Sequence, residues 1–309
     1  MIICKPKRKG QVTKRKAMVK TGKRPAKKKA ARRKRLPLLD SLQTRQNMQR
    51  LSVIIPVRDE ERTIGKVLKQ VVRLRPKEII VIANGSRDRT IQIATTYNVT
   101  CLSYPFPLGH DVGRAIGAKE ASGDVLLFLD GDIVIPAERL QRFVKACYLG
   151  ADISLNNVNR FFNNTARIDA VSMAKSYLNR LLLRPDLGFS SMTAVPHAMK
   201  RSVAAWLGYD SLMVPPLAQA KAILQGMRVV QSASVDVLRT NRKRIINQKT
   251  NNLVKDLILG DHMEALSFLQ SMKSERVFFF DQLRRRHIFG HIGRTAKLAS
   301  NHFVLPNDV

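Results

Sequence analysis

Apolar positions between residues 51 and 129 alternate between two periods. Leu51–Val57, Ile79–Ala83, Val99–Ser103 and Val125–Leu129 are short runs, three of them dense in Val, Ile and Leu, with the length of buried strands. Between them the spacing becomes helical. Ile64, Val67, Leu68, Val71 and Val72 mark a helix within Glu60–Leu74, and further helices are expected over about 89–97 and 112–121. Strand–helix alternation of this kind predicts an α/β fold: a mostly parallel, doubly wound sheet with helices on both faces. Ligands in such sheets bind at the carboxyl ends of the strands. The second half is less regular, with a strand over 151–155, an amphipathic helix over 167–183, a loop over 185–197, a helix starting at Pro215, a strand over 227–237 and a helix over 253–270. No internal repeat is visible.

Residues 1–48 have no such period. They are Lys, Arg, Ala, Gly and Thr with few large apolar residues, which cannot offset the entropy of ordering, so a disordered polybasic tail is expected. Residues 1–35 hold 17 of the chain's 55 Lys and Arg, and the first acidic residue is Asp40. The formal net charge is +32, and the 38 basic residues beyond residue 35 still outnumber the 23 acidic ones. A balance this basic favours polyanionic partners and says nothing of fold. The tail is a solvated run, or it contacts an anionic membrane surface or nucleic acid. It lacks the interleaved aromatics that stack on bases, which argues against sequence-specific reading.

Cys4, Cys101 and Cys147 are too far apart for a metal pattern, and a sparse odd set suits a reducing compartment. No apolar run reaches the roughly 18 residues of a membrane-spanning helix, and no apolar segment follows the N-terminal charges as in a secretory signal. A cytoplasmic location follows, with peripheral contact at the inner face of the membrane as a variant. Residues 49–240 are expected to form the α/β domain and 241–309 a helical extension, in which Phe278–Phe280 beside basic residues reads as a packing helix or an interfacial one.

The chemistry concentrates at the end of the fourth strand, where Val-Leu-Leu-Phe-Leu runs into Asp130-Gly131-Asp132. Alternate residues of an extended chain share a face, so both carboxylates point the same way. Two hard oxygen ligands suit Mn²⁺ or Mg²⁺, with substrate phosphates completing the shell. The other reading is a turn that caps a core strand.

Four motifs in register resemble the family 2 glycosyltransferases of the GT-A fold, which use nucleotide-diphospho-sugar donors. Val53-Ile-Ile-Pro56-Val-Arg58-Asp59-Glu60 looks like the opening strand, and Ala83-Asn84-Gly85-Ser86-Arg87-Asp88-Arg-Thr90 like the Asp-Asp-Gly-Ser-Thr-Asp element. Gly109–Gly117 followed by Ala121-Ser-Gly-Asp124 resembles the loop and helix before the metal strand, and Asp130-Gly-Asp132 the Asp-X-Asp motif. The resemblance covers about 51–226. It implies that Pro56, Arg58 and Glu60 line the nucleoside pocket, with Asn84 and Asp88 on or behind its wall, and that Gly109 and Arg114 serve the diphosphate. Asp132 would bind the metal directly and Asp130 through ribose or water, with His262 as a late metal ligand. Asn84-Gly85 is also a common turn pair and Asp88 a helix-start residue.

The sequence departs from the family at two places. Ala83-Asn84 stands where an Asp-Asp pair is usual, and Pro215-Pro216 where inverting members carry a Glu-Asp pair. A hydroxyl acceptor needs a general base. Asp210 could supply one, with His197 as a further catalytic candidate that contacts metal or acceptor, or the acceptor is already an anion such as a polyprenyl phosphate, a cell-envelope glycan being the other acceptor class, or the chain is a catalytically weak or inactive scaffold that binds nucleotide sugars or nucleic acid. A sugar-phosphate nucleotidyltransferase is disfavoured by the lack of a Gly-rich nucleotide loop near Pro56.

Overall fold

The structure is a computed structural model that describes residues 50–162, 168–237, 253–279, 281, 283 and 284. The polybasic tail therefore lies outside the described residues, as does most of the segment after Phe279. Seven strands form one sheet, in the order β3 (Thr100–Tyr104), β2 (Glu78–Asn84), β1 (Leu51–Val57), β4 (Val125–Phe128), β6 (His197–Lys200), β5 (Ile153–Asn156), β7 (Val229–Ala233). The pairs β1–β2, β2–β3, β1–β4 and β5–β7 are parallel. β6 runs antiparallel to both of its neighbours.

Strand alternation sorts side chains onto two faces. Val53, Ile55, Ile79, Val81, Val125 and Leu127 enter one core with α1 (Ile64–Val71), α2 (Thr90–Thr95) and α4 (Ala137–Tyr148). Ile54, Ile80, Ile82, Leu126 and Phe128 enter the other, with α3 (Val112–Glu120), α6 (Arg201–Leu207) and α7 (Pro215–Leu224). A third cluster joins α5 (Ala170–Leu181), α7 and α8 (Leu253–Met272) through Leu178, Leu181, Ala220, Ala265 and Leu269. α3 lies unusually close to the sheet: a Cβ at Gly117 would sit 2.5 Å from Ile54 Cγ2, so only glycine admits the helix at this depth.

Three sequence expectations change. The first helix begins at Ile64 rather than Glu60, because the Glu60 carbonyl accepts Thr63 N at 3.0 Å and Ile64 N at 2.9 Å in a turn entered through Asp59 at φ 55°. α4 and α6 are additional elements; in α4, Leu140, Phe143, Val144 and Cys147 do carry the helical spacing, and all four are buried. The expected loop over 185–197 ends at β6, whose pairing Phe128↔His197 to Val125↔Lys200 is non-local and leaves no periodic signature in a four-residue strand.

Candidate functional site

Asp130 and Asp132 follow β4 directly and are half-buried. The turn presses against the end of β1: a Cβ at Gly131 would lie 2.6 Å from Val57 Cγ1 and 3.5 Å from Glu60 Cγ. Glycine thus brings the two carboxylates against the loop that follows β1, where Glu60 is 4% exposed and its Oε2 accepts Thr63 Oγ1 at 3.1 Å.

The β1 and β2 loops are tied together. Thr90 Oγ1 accepts Glu60 N at 2.7 Å, and Asp88 Oδ2 accepts Glu61 N at 3.0 Å while Oδ1 accepts Thr90 N at 2.9 Å and the Thr90 hydroxyl. These bonds hold the Asp88 carboxyl below its usual pKa against the opposing effect of burial. Asn84 spends its amide on the next loop, donating to Gly109 O at 2.9 Å and accepting Leu108 N. Pro56 is half-buried and Arg58 exposed at the same strand end. Asn84 and Asp88 therefore tie neighbouring loops together at the carboxyl ends of β1, β2 and β3.

Arg114, 6% exposed, reaches from α3 between two carboxylates, with Nη1 2.5 Å from Asp111 Oδ1 and Nη2 3.0 Å from Asp130 Oδ1. The pair of negative charges holds its pKa above the ordinary arginine value although burial works the other way. Asp111 was not singled out by sequence, although its i,i+3 spacing to Arg114 at a helix start was a usable signal.

On the other side of Arg114, a cavity of about 10 Å³ is lined by Phe128, Met192, His197, Leu212 and Pro215. That is room for a single water. His197 is 3% exposed, stacks on Phe128 with ring centroids 4.8 Å apart, and places Nδ1 3.2 Å from Ala194 O. Burial first, and the Arg114 charge second, push its pKa down to about 3, so the ring is neutral near pH 7. Pro215 and Pro216 open α7 and are both buried, while Asp210 is exposed in the short turn before them and does not line the cavity. Met192 is held by a buried amide relay in which Gln219 Oε1 accepts Met192 N at 2.9 Å, Gln219 Nε2 donates to Asn179 Oδ1 at 2.7 Å, and Asn179 Nδ2 donates to Gly188 O and Ser190 O.

His262 does not join the two aspartates. Its Nδ1 lies 2.6 Å from Ile258 O on α8, and burial with the nearby Lys175 charge lowers its pKa to about 4. Among the described residues no three His, Cys, Asp or Glu side chains gather as a metal site. The helix instead brings Asp261, 9% exposed, under the influence of Asp111, and burial with that charge raises the Asp261 carboxyl to about 6. The donor set that remains, two carboxylates with Asp130 partly engaged by Arg114, fits a hard divalent cation whose shell is completed by phosphate oxygens and water.

Residues 52–205 match the family model for glycosyl transferase family 2. The chain is 36% identical over 124 residues to the glycosyltransferase AglE of Haloferax volcanii, covering 37% of this chain and 41% of that protein. It is 26% identical over 118 residues to an undecaprenyl-phosphate 4-deoxy-4-formamido-L-arabinose transferase of Pectobacterium atrosepticum (35% and 36% covered). A dolichol-phosphate mannosyltransferase of Pyrococcus furiosus is 28% identical over 115 residues (35% and 33%). The matches thus span well under half of these relatives. Among solved structures, glucosyl-3-phosphoglycerate synthase from Mycobacterium tuberculosis, in complex with Mn²⁺, UDP and phosphoglyceric acid, superposes with a TM-score of 0.51 at 20% identity, covering 75% of this chain and 80% of that one. That likeness identifies the fold as the GT-A type.

Proposed function

We propose that this chain, a member of glycosyl transferase family 2, moves a sugar from a nucleotide-diphosphate donor to the phosphate oxygen of a polyprenyl phosphate. The observation that supports the acceptor reading is Pro215-Pro216, buried at the start of α7 where family members that deprotonate a hydroxyl acceptor carry a carboxylate pair. Asp210 is exposed and His197 is a neutral ring packed on Phe128. A phosphate monoester needs no deprotonation, because one of its oxygens already carries the attacking electron pair. That oxygen bonds to the anomeric carbon as the bond from carbon to the donor diphosphate breaks, and the departing diphosphate keeps the electron pair. The named activities of two relatives, on undecaprenyl phosphate and dolichol phosphate, support the same acceptor class.

In this reading the loops after β1 and β2 bind the nucleoside: Pro56 and Arg58 face it, while Glu60, Asn84 and Asp88 hold the walls. Asp132, with Asp130 beside it, would hold Mn²⁺ or Mg²⁺, which supplies Lewis-acid stabilisation of the leaving diphosphate. Arg114 orients Asp130. A lipid-linked acceptor lies at a membrane surface, so a cytoplasmic, peripheral location belongs to the proposal; among the described residues no helix is long and apolar enough to cross a membrane.

The test is transfer by the full chain with Mn²⁺ across a panel of nucleotide sugars, offering a short-chain polyprenyl phosphate, the corresponding polyprenol, or neither. Product with the phosphate alone is expected, and Asp132→Ala should abolish it. Equal use of the polyprenol would overturn the anionic acceptor, and equal activity of Asp132→Ala would overturn the metal role. Donor binding without turnover on any acceptor would identify a non-catalytic nucleotide-sugar-binding scaffold.

A further inference from the structure

At the opposite end of the sheet from Asp130 and Asp132 lies a second, larger cavity. It is open, about 490 Å³ in volume, and lined by Arg50, Asp124, Val125, Cys147, Tyr148, Lys200, Arg201, Ser202 and Ala205. Arg50 precedes β1, Asp124 precedes β4, Lys200 ends β6, whose last pair with β4 is Val125↔Lys200, and Arg201 opens α6. A seven-residue strand separates this pole from the loop after β1, roughly 20 Å at the rise of a parallel strand. The cavity is therefore no part of the donor site.

Its lining is cationic in a specific way. Arg50 pairs with Asp124, and Lys200 Nζ lies 2.7 Å from Asp152 Oδ1, so both heads are fixed at the rim, with side chains 65% and 36% exposed. A guanidinium has five N–H donors and an ammonium three, so one carboxylate leaves either with donors to spare. Arg201 is exposed and forms no ion pair among the described residues, while its backbone N–H donates to Asp124 O at 2.8 Å and so anchors its position. Beside it stands the exposed hydroxyl of Ser202. Tyr148 adds a phenol that burial keeps protonated, its pKa raised beyond the ordinary tyrosine value. Three cations, two hydroxyls and a single lining carboxylate surround a space within the range of small-ligand sites.

We propose that this cavity binds a phosphate group, with Arg201 as the forked donor and Arg50, Lys200 and Ser202 as supporting donors. Arginine forks match phosphate oxygens bidentately, and charge-assisted bonds of this kind are the strong ones. The phosphate belongs to a free small molecule or to a lipid headgroup. The chemistry is shared and the two sources are separable by experiment. Nothing in this inference depends on the sugar-transfer reading.

The probe is pyrophosphate, titrated calorimetrically into the full chain in EDTA so that the Asp130–Asp132 turn contributes no metal-dependent binding. Because residues 1–35 hold 17 cations of their own, the decisive comparison is between charge-matched variants. Arg201→Glu should weaken binding at least tenfold, the loss of a charge-assisted pair. Arg142→Glu, on the exposed face of α4 outside the cavity, should leave it unchanged, and Ser202→Ala should weaken it by a smaller factor. A parallel arm measures sedimentation with phosphatidylglycerol or phosphatidylcholine vesicles. Loss of phosphatidylglycerol binding in Arg201→Glu, with pyrophosphate as competitor, identifies a headgroup; an Arg201-dependent pyrophosphate site without vesicle binding identifies a free phosphate. Equal effects of Arg201→Glu and Arg142→Glu would overturn the site in favour of diffuse charge, as would no binding in either arm.

Discussion

Arg114 Nη2 lies 3.0 Å from Asp130 Oδ1, and the same buried guanidinium holds Asp111 at 2.5 Å. Its charge is shared between two carboxylates of the protein, so it sets the orientation of Asp130. Replacing it with alanine strands Asp111, whose side chain is 6% exposed, and should cost about 3 kcal/mol of stability. Arg114→Lys keeps the charge and loses the fork. That variant should fold and bind a nucleoside diphosphate with Mn²⁺ about tenfold more weakly, one charge-assisted bond's worth; thermal unfolding and Mn²⁺ titration check the two effects separately.

His197 should behave as a neutral packing group. Its folded pKa is pushed down to about 3 from an ordinary 6.5, so its contribution to stability is fully present above pH 6.5 and declines as pH falls toward 3. The ring resonances should not titrate between pH 5 and 8 by NMR. His197→Phe retains a ring against Phe128 and should be less sensitive to acid over that lower window. A turnover profile that loses a pH 6–7 inflection in this variant would make His197 a proton carrier instead.

Asp261 carries the opposite sign. Burial and the Asp111 charge raise its folded pKa to about 6, above the ordinary 3.8, so its contribution is most favourable below pH 3.8 and is lost as pH rises through 6. Asp261→Asn removes the charge and should stabilise the protein at pH 8 by about 1–2 kcal/mol, while at pH 3.5 the two proteins should be alike. Urea midpoints at the two pH values measure this directly.

Asn84→Asp should loosen the loop before α3. The amide donates to Gly109 O and accepts Leu108 N; a carboxylate keeps the second bond and faces the Gly109 carbonyl with a like partial charge. Faster hydrogen exchange at residues 105–109 is expected, with a stability loss of about 1 kcal/mol. Unchanged exchange would show that the amide does not hold the loop.

The first half of the fold was legible because its signals are local. β1 occupies the expected Leu51–Val57, and the strands 79–83, 99–103 and 125–129 shift by a residue or so. A hydrophobic period and the turn residues after it are carried by neighbours in the chain, so the placement of Asp130 and Asp132 just past a strand followed from sequence. The antiparallel β6 was hidden because four residues carry too little period, and its place between β4 and β5 is chosen by partners about 70 and 45 residues away.

Sequence by itself thus determined the parallel half of the sheet, the carboxylate turn at its edge and the helix opened by Pro215-Pro216. Tertiary structure alone decided what the charged groups do there. It placed Arg114 between Asp111 and Asp130, turned His262 toward the Ile258 carbonyl, stacked a neutral His197 on Phe128, and gathered Arg50, Lys200 and Arg201 around a cavity at the far pole. A side chain's period is written in its own segment, whereas its burial and its ionic partner depend on which distant segments pack against it.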